Sequence, residues 1–180
     1  MSLSPFHQAL GEDWSRLPAT LQAFHGKTGA RVYRGQADIA RGNHPLARLV
    51  AWLFGFPPAG QAVPVKVTVT PDGDGEIWAR QFGSHHFHSR LTCQGPGIVV
   101  ERFGPFAFAL PIDLTENGLS LPVATGEVMG IPLPKALLPR SDAVETATAE
   151  GFEFDIRLSL PLLGPMVHYQ GDLAPEKESA

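Results

Sequence analysis

Hydrophobic positions along this chain repeat first at helical spacing and then, from residue 60 onward, at every second residue. Phe6, Leu10 and Trp14 share one helical face, and Leu21, Phe24 and His25 continue it after Leu17-Pro18. Ser4 can cap, Pro5 suits the first helical position and Gly26 suits a stop. Residues 4–25 are therefore predicted as a helical hairpin or kinked helix packed on a sheet. Over 30–41, Tyr33, Gly35, Ala37 and Ile39 alternate with Arg34, Gln36 and Asp38, the signature of a half-buried strand. Residues 43–55 predict a helix capped by Asn43, with Pro45 in its first turn and an apolar stripe of Leu46, Leu49, Val50, Leu53 and Phe54. Ala47, Ala51 and Trp52 leave that helix with little polar surface, so it is expected to line a cavity or a partner surface.

Beyond Gly60 the period is two. Val63, Val65, Val67 and Val69 oppose Lys66, Thr68 and Thr70, and strands are predicted at 77–82, 85–93, 98–103 and 106–114 between glycine- and proline-bearing turns. Residues 119–129 predict a further strand, interrupted at Pro122, and 143–149 another. Phe152, Phe154, Ile156, Leu158 and Leu160 alternate with Glu153, Asp155, Arg157 and Ser159, and a last strand covers 167–173. Residues 174–180 are polar and expected to fray. Short turns pair strands antiparallel. The expected fold is α+β, mainly β: a strongly curved antiparallel sheet or barrel of about nine or ten strands. An N-terminal helical segment precedes it, and the helix at 43–55 follows the first strand. No composition shift divides the chain, so residues 1–180 are expected to form one domain, ordered over about 4–173.

Composition narrows the functional classes. Apolar residues make up 43% of the 180 residues, charged residues 18%, and the formal charge is -4, without a cluster of Lys and Arg. Nucleic acid is therefore not an expected partner. A single cysteine, Cys93, precludes an intrachain disulfide and reads as a buried small hydrophobe. Met1 to Leu10 has neither a charged n-region nor an apolar h-region, and the longest apolar run, 49–56, is too short to span a bilayer. The expected location is the cytoplasm.

The order and spacing of several motifs resemble a known family. They are Arg34-Gly35-Gln36-Ala37-Asp38, Val63-Pro64-Val65, Trp78-Ala79-Arg80-Gln81-Phe82-Gly83 and Glu101-Arg102-Phe103-Gly104-Pro105. His25, Glu145, Phe152-Glu153-Phe154-Asp155 and Pro161 to Pro165 through Tyr169-Gln170-Gly171 belong to the same pattern, over roughly 6–173. The chain resembles the bacterial domain of unknown function 4166. The resemblance brings no known reaction and no catalytic residue, and no cofactor is expected. Members attached to reductase-like or epimerase-like domains imply a small substrate or such a protein partner.

Trp78, Arg80 and Phe82 share one face by strand parity. Facing outward, Arg80 would lay its stem on the rings with its head in water. Facing inward, it would bind a carboxylate or phosphate in an apolar pocket lined by Trp78, Phe82, Phe106, Phe108, Phe152 and Phe154. Glu101, in an apolar strand, needs a partner if buried, and Arg80 or Arg34 would supply it. His86 and His88 share a face while His85 points away, and zinc-type spacing is absent, so no metal is expected. Ser89 lacks the context of a nucleophile elbow. Tyr169 reads as a core residue with a bonded hydroxyl.

Three functional readings follow. In the first, the domain binds a small, largely apolar molecule, anionic-headed in one version, through Arg80, Trp78, Phe82, Arg34 and Glu101. In the second, it is a small-molecule enzyme with Glu101 as acid/base and Arg80 as anion clamp. In the third, it serves a reductase-like partner through a partly exposed helix at 43–55.

Overall fold

The structure is a computed structural model and describes residues 3–26 and 28–176. The N-terminal segment forms α1 (Pro5–Leu10), a 3-10 turn (Gly11–Arg16) and α2 (Ala19–Gly26). Ser4 Oγ accepts from the His7 amide at 3.2 Å and Pro5 opens α1, as the sequence predicts. Strand β1 (Arg31–Arg41) is followed by α3 (Pro45–Leu53), β2 (Gly60–Asp72), β3 (Gly75–Phe82), β4 (His85–Gly95), β5 (Ile98–Phe103) and β6 (Phe106–Pro111). Then come β7 (Asp113–Thr115), β8 (Gly118–Ser120), β9 (Thr125–Val128), β10 (Ile131–Pro132), a 3-10 turn (Lys135–Leu137), β11 (Arg140–Ala147), β12 (Phe152–Leu160) and β13 (Gly164–Pro175).

All thirteen strands join one antiparallel sheet in the order β10-β9-β6-β5-β4-β3-β2-β1-β13-β12-β11-β8-β7. The expected nine or ten strands become thirteen because the predicted strands at 106–114 and 119–129 each break in two and a two-residue strand is added. The sheet is not closed into a barrel; its hydrogen-bonded order ends at β10 and β7. It nonetheless bends round on itself. The stretch between β8 and β9 reaches both halves: Leu121 N–H donates to Ala143 C=O in β11, and Ala124 N–H donates to Ala109 C=O in β6, each at 2.9 Å. Where β1 crosses β13, a side chain at Gly35 would run into the Asp172 carbonyl, and glycine permits the close approach there.

Antiparallel pairing gives the folded sheet two ends. The N-terminal helices close one of them. Phe6, Phe24 and His25 pack there against Trp78, Tyr33 and Phe152, with the Phe24 ring 4.7 Å from Tyr33 and 4.6 Å from Phe152. Beneath them lies a buried ion pair. Arg31 Nη2 donates to both oxygens of Glu76 at 2.9 and 3.0 Å, and the Trp78 indole N–H donates to Glu76 Oε2 at 3.1 Å.

Two expectations about the ends of elements need correction. The cap of α3 is His44, whose Nδ1 accepts from the Leu46 amide at 3.3 Å, not Asn43. Pro45 takes the first helical position and holds residue 44 extended, which fixes the cap one residue later. The chain also does not fray at residue 174. Ala174 and Pro175 pair with Arg34 and Tyr33, and Glu176 N–H donates to Val32 C=O at 2.9 Å. The remainder of the expected tail, 177–180, lies outside the described residues.

Candidate functional site

The even-numbered residues of β3 point inward, so Trp78, Arg80 and Phe82 face the hollow of the sheet together with Glu76. That hollow contains a cavity of 390 Å³. Its wall is apolar around most of its circumference, drawn from Phe54 just after α3, Phe106 and Phe108 of β6, and Ile156, Leu158 and Leu160 of β12. β6 and β12 stand far apart in the strand order, and they meet across the cavity because the sheet curls.

One polar cluster interrupts the apolar wall. Arg80 Nη2 donates to Glu101 Oε1 at 2.8 Å, and Arg80 Nη1 donates to Ser89 Oγ at 2.7 Å. Ser89 Oγ in turn donates to Glu101 Oε1 at 2.6 Å, closing a triangle. The Arg80 guanidinium lies over the Trp78 ring at 5.1 Å and the Phe87 ring at 5.6 Å. The side chains of Arg80 and Glu101 are 15% and 14% exposed, and both line the cavity. Glu101 Oε1 takes both bonds, so Oε2 has no protein partner among the described residues.

Tyr169, on β13, lines the same cavity. Burial pushes its hydroxyl up to about 12; the Arg80 charge opposes the shift and the Glu101 charge reinforces it. Tyr33 is raised in the same direction by burial, against the pull of Arg31. The chain has just these two tyrosines. Neither is therefore expected to ionise near pH 10 in the folded protein, whereas both do so after unfolding. A raised acid pKa means stability is complete below pH 10 and falls as pH climbs toward 12, by about 3 kcal/mol for Tyr169. An absorbance titration of tyrosinate, native against urea-unfolded, checks this; a native transition centred at pH 10 would contradict it.

Glu145 supplies a second carboxylate to the wall, from the inward face of β11 alongside Ser141 and Ala143. It is bonded at 2.6 Å to His25 Nε2 of α2, whose ring lies 3.9 Å from that of Phe6. His25 is fully buried and its Nδ1 has no partner among the described residues.

The remaining predicted site residues divide clearly. Phe106 and Phe108 line the cavity with Trp78. Phe82, Phe152 and Phe154 are buried in the solid core instead, Phe82 stacked on Phe87 at 5.9 Å and Phe154 against Tyr169 at 6.2 Å. Arg34 is not at the cavity: it sits on the outward parity of β1, half exposed, paired with the Glu176 carboxylate. His85, His86 and His88 are all exposed. Cys93 is half-buried, its thiol 3.6 Å from the Gly95 carbonyl.

The helix α3 seats on the protein through its small side chains. Its contact with the body of the protein is made by Ala47 and Ala51, which are fully buried, while Leu46, Leu49, Trp52 and Leu53 are exposed. Two alanines four residues apart let the helix lie close to the body. The larger side chains of the predicted stripe then fall on the outer and cavity-mouth faces.

Among the described residues, no helix is long and apolar enough to cross a membrane. Neither the curated proteins nor the solved structures contain a match to this chain. The family model of a domain of unknown function, DUF4166, matches residues 17–173, a stretch that includes every cavity-lining strand, and the chain belongs to that family.

Proposed function

We propose that this protein binds a small, largely apolar molecule in the cavity under the curved sheet, with the polar end of that molecule at Arg80 and Glu101. The observation that carries the reading is the contrast within one wall: a 390 Å³ hollow, apolar over most of its lining, with its polar groups limited to the Arg80–Glu101 pair, Tyr169, and Glu145 with Ser141. Binding sites for small molecules have this form, concave and apolar with few directed polar groups, at roughly 300–1,000 Å³. The polar cluster also refines the head group. Arg80 is neutralised by Glu101, and Glu145 adds a further carboxylate, so an anionic head would enter a site with no cation to spare. A hydroxyl or amide can instead donate to Glu101 Oε2. The same pairing weakens the enzymatic alternative, since an anion clamp needs a free charge.

The test is fluorescence titration with N-phenyl-naphthylamine, a neutral apolar probe. Saturable one-to-one enhancement is expected for the native protein. Ala143→Phe, which places a ring in the cavity, is expected to abolish it without lowering the melting temperature. Absence of saturable enhancement in the folded native protein would sink the reading.

A further inference from the structure

The connections at the two ends of the sheet differ sharply in chemistry. At the open end lie residues 42–59, the turns at 83–84, 104–105, 129–130 and 161–163, and the segment 133–139. None of these residues is Asp or Glu, although the chain carries 18 acids and a net charge of -4. Their charged residues are Arg48 and Lys135, both exposed, with Arg140 exposed at the adjoining start of β11. None of these three cations has a carboxylate partner among the described residues. The closed end carries Glu12 and Asp13 in the 3-10 turn, Asp74 between β2 and β3, Glu116 between β7 and β8, and Glu150 between β11 and β12, all exposed, with Asp13 paired to Arg16 and Asp74 to Arg90.

Exposed apolar side chains follow the same polarity. Eight of the ten large exposed hydrophobics lie at the open end: Leu46, Leu49, Trp52, Leu53, Met129, Ile131, Leu137 and Leu162. Leu53 and Leu137 also line the cavity, and Leu162 lies between two lining residues, Pro161 and Leu163. Trp52 is 72% exposed and Leu162 96%. Hydrophobic tips carried on several separate elements therefore ring the mouth of an apolar cavity, interspersed with cations; the neighbouring acids, Glu127 of β9, which pairs with Arg102, and Asp142 of β11, belong to the adjoining strands.

We propose that this rim docks on an anionic lipid bilayer, and that the cavity takes its occupant from, or delivers it to, that bilayer. The second half rests on the cavity reading above; the docking itself does not. A tryptophan and leucines projecting beside Arg and Lys match the chemistry of a peripheral membrane anchor, with apolar tips at the acyl boundary and cations at the headgroups. The acidic closed end then points away from the negative surface. A symmetric second copy fits this rim less well, since self-pairing would bring like cations together.

Flotation with vesicles tests this. The native protein is expected to float with phosphatidylcholine vesicles containing phosphatidylglycerol and to remain behind with phosphatidylcholine alone. Lys135→Gln is expected to lower partitioning about fivefold. The pair Trp52→Ser and Leu162→Ser, neither of which lines the cavity, should abolish flotation with an unchanged melting temperature. Ala143→Phe should float normally while losing the naphthylamine probe, which separates failure of docking from failure of the cavity reading. Docking is overturned if the native protein floats with neither vesicle or if the Trp52/Leu162 pair floats as well as the native. It is equally overturned if sedimentation shows a dimer that the Trp52/Leu162 pair dissociates, or if a reductase-like protein partner protects the rim in place of lipid.

Discussion

Glu76→Ala is expected to destabilise the protein by roughly 3–5 kcal/mol, the cost of breaking a buried ion pair by removing its carboxylate. Arg31 and Glu76 are both almost fully buried, and both carboxylate oxygens are engaged by one guanidinium nitrogen. Truncation removes the carboxylate from a guanidinium that lies 5.8 Å from the Phe24 ring and deprives the Trp78 indole of its acceptor. Glu76→Gln keeps an acceptor for both donors and removes only the charge, so it is expected to lose less. The double change Arg31→Met with Glu76→Leu is expected to recover most of the loss, because apolar residues of similar volume replace a pair whose desolvation nearly cancels its attraction. Urea unfolding of the four proteins decides the matter. A loss under about 1 kcal/mol for Glu76→Ala would mean that solvent reaches Arg31 and the closed end is not sealed.

Alternation made most of this fold legible. β1, β3 and β12 each bury one face, and burial of one face prints a period of two on the sequence. Parity alone placed Trp78, Arg80 and Phe82 on a common side; only the curl of the sheet decided that this side was the hollow. The same parity separates Arg34 from Tyr33, which is why Arg34 is at the surface. It also carried an unread signal. Glu76 shares the inward parity of Trp78 and Arg80, and Glu145 shares that of Ala143, so each had to find a buried partner. The partners, Arg31 and His25, lie 45 and 120 residues away, beyond what a local pattern conveys.

The short strands were illegible for a similar reason. β7, β8 and β10 are strands because Leu119 meets Glu145 and Ile131 meets Val128 in register, not because two or three residues form a pattern. The orientation of α3 is not legible in the sequence, because hydrophobicity favours the largest side chains. In a helix apolar all round, close packing can select the smallest, and Ala47 and Ala51 lie against the protein.

The polar cluster should set which head group the cavity accepts. A long-chain alcohol is expected to displace the naphthylamine probe from the native protein about tenfold more tightly than the matching carboxylate. That ratio is the effect of one buried charge left without compensation. The alcohol can donate to Glu101 Oε2, while the carboxylate meets Glu101 and Glu145 across a wall whose one guanidinium is already bonded to Glu101 and Ser89. Replacing the pair, Arg80→Met with Glu101→Leu, should keep probe binding and weaken the alcohol, whose acceptor is gone, while the carboxylate stays weak in a wall that has Glu145 and no cation. Tyr169 remains in both proteins, so its hydroxyl cannot account for a difference between them. Tighter binding of the carboxylate to the native protein would show that Arg80 releases Glu101 and captures the anion, and would restore the clamp that the sequence first suggested.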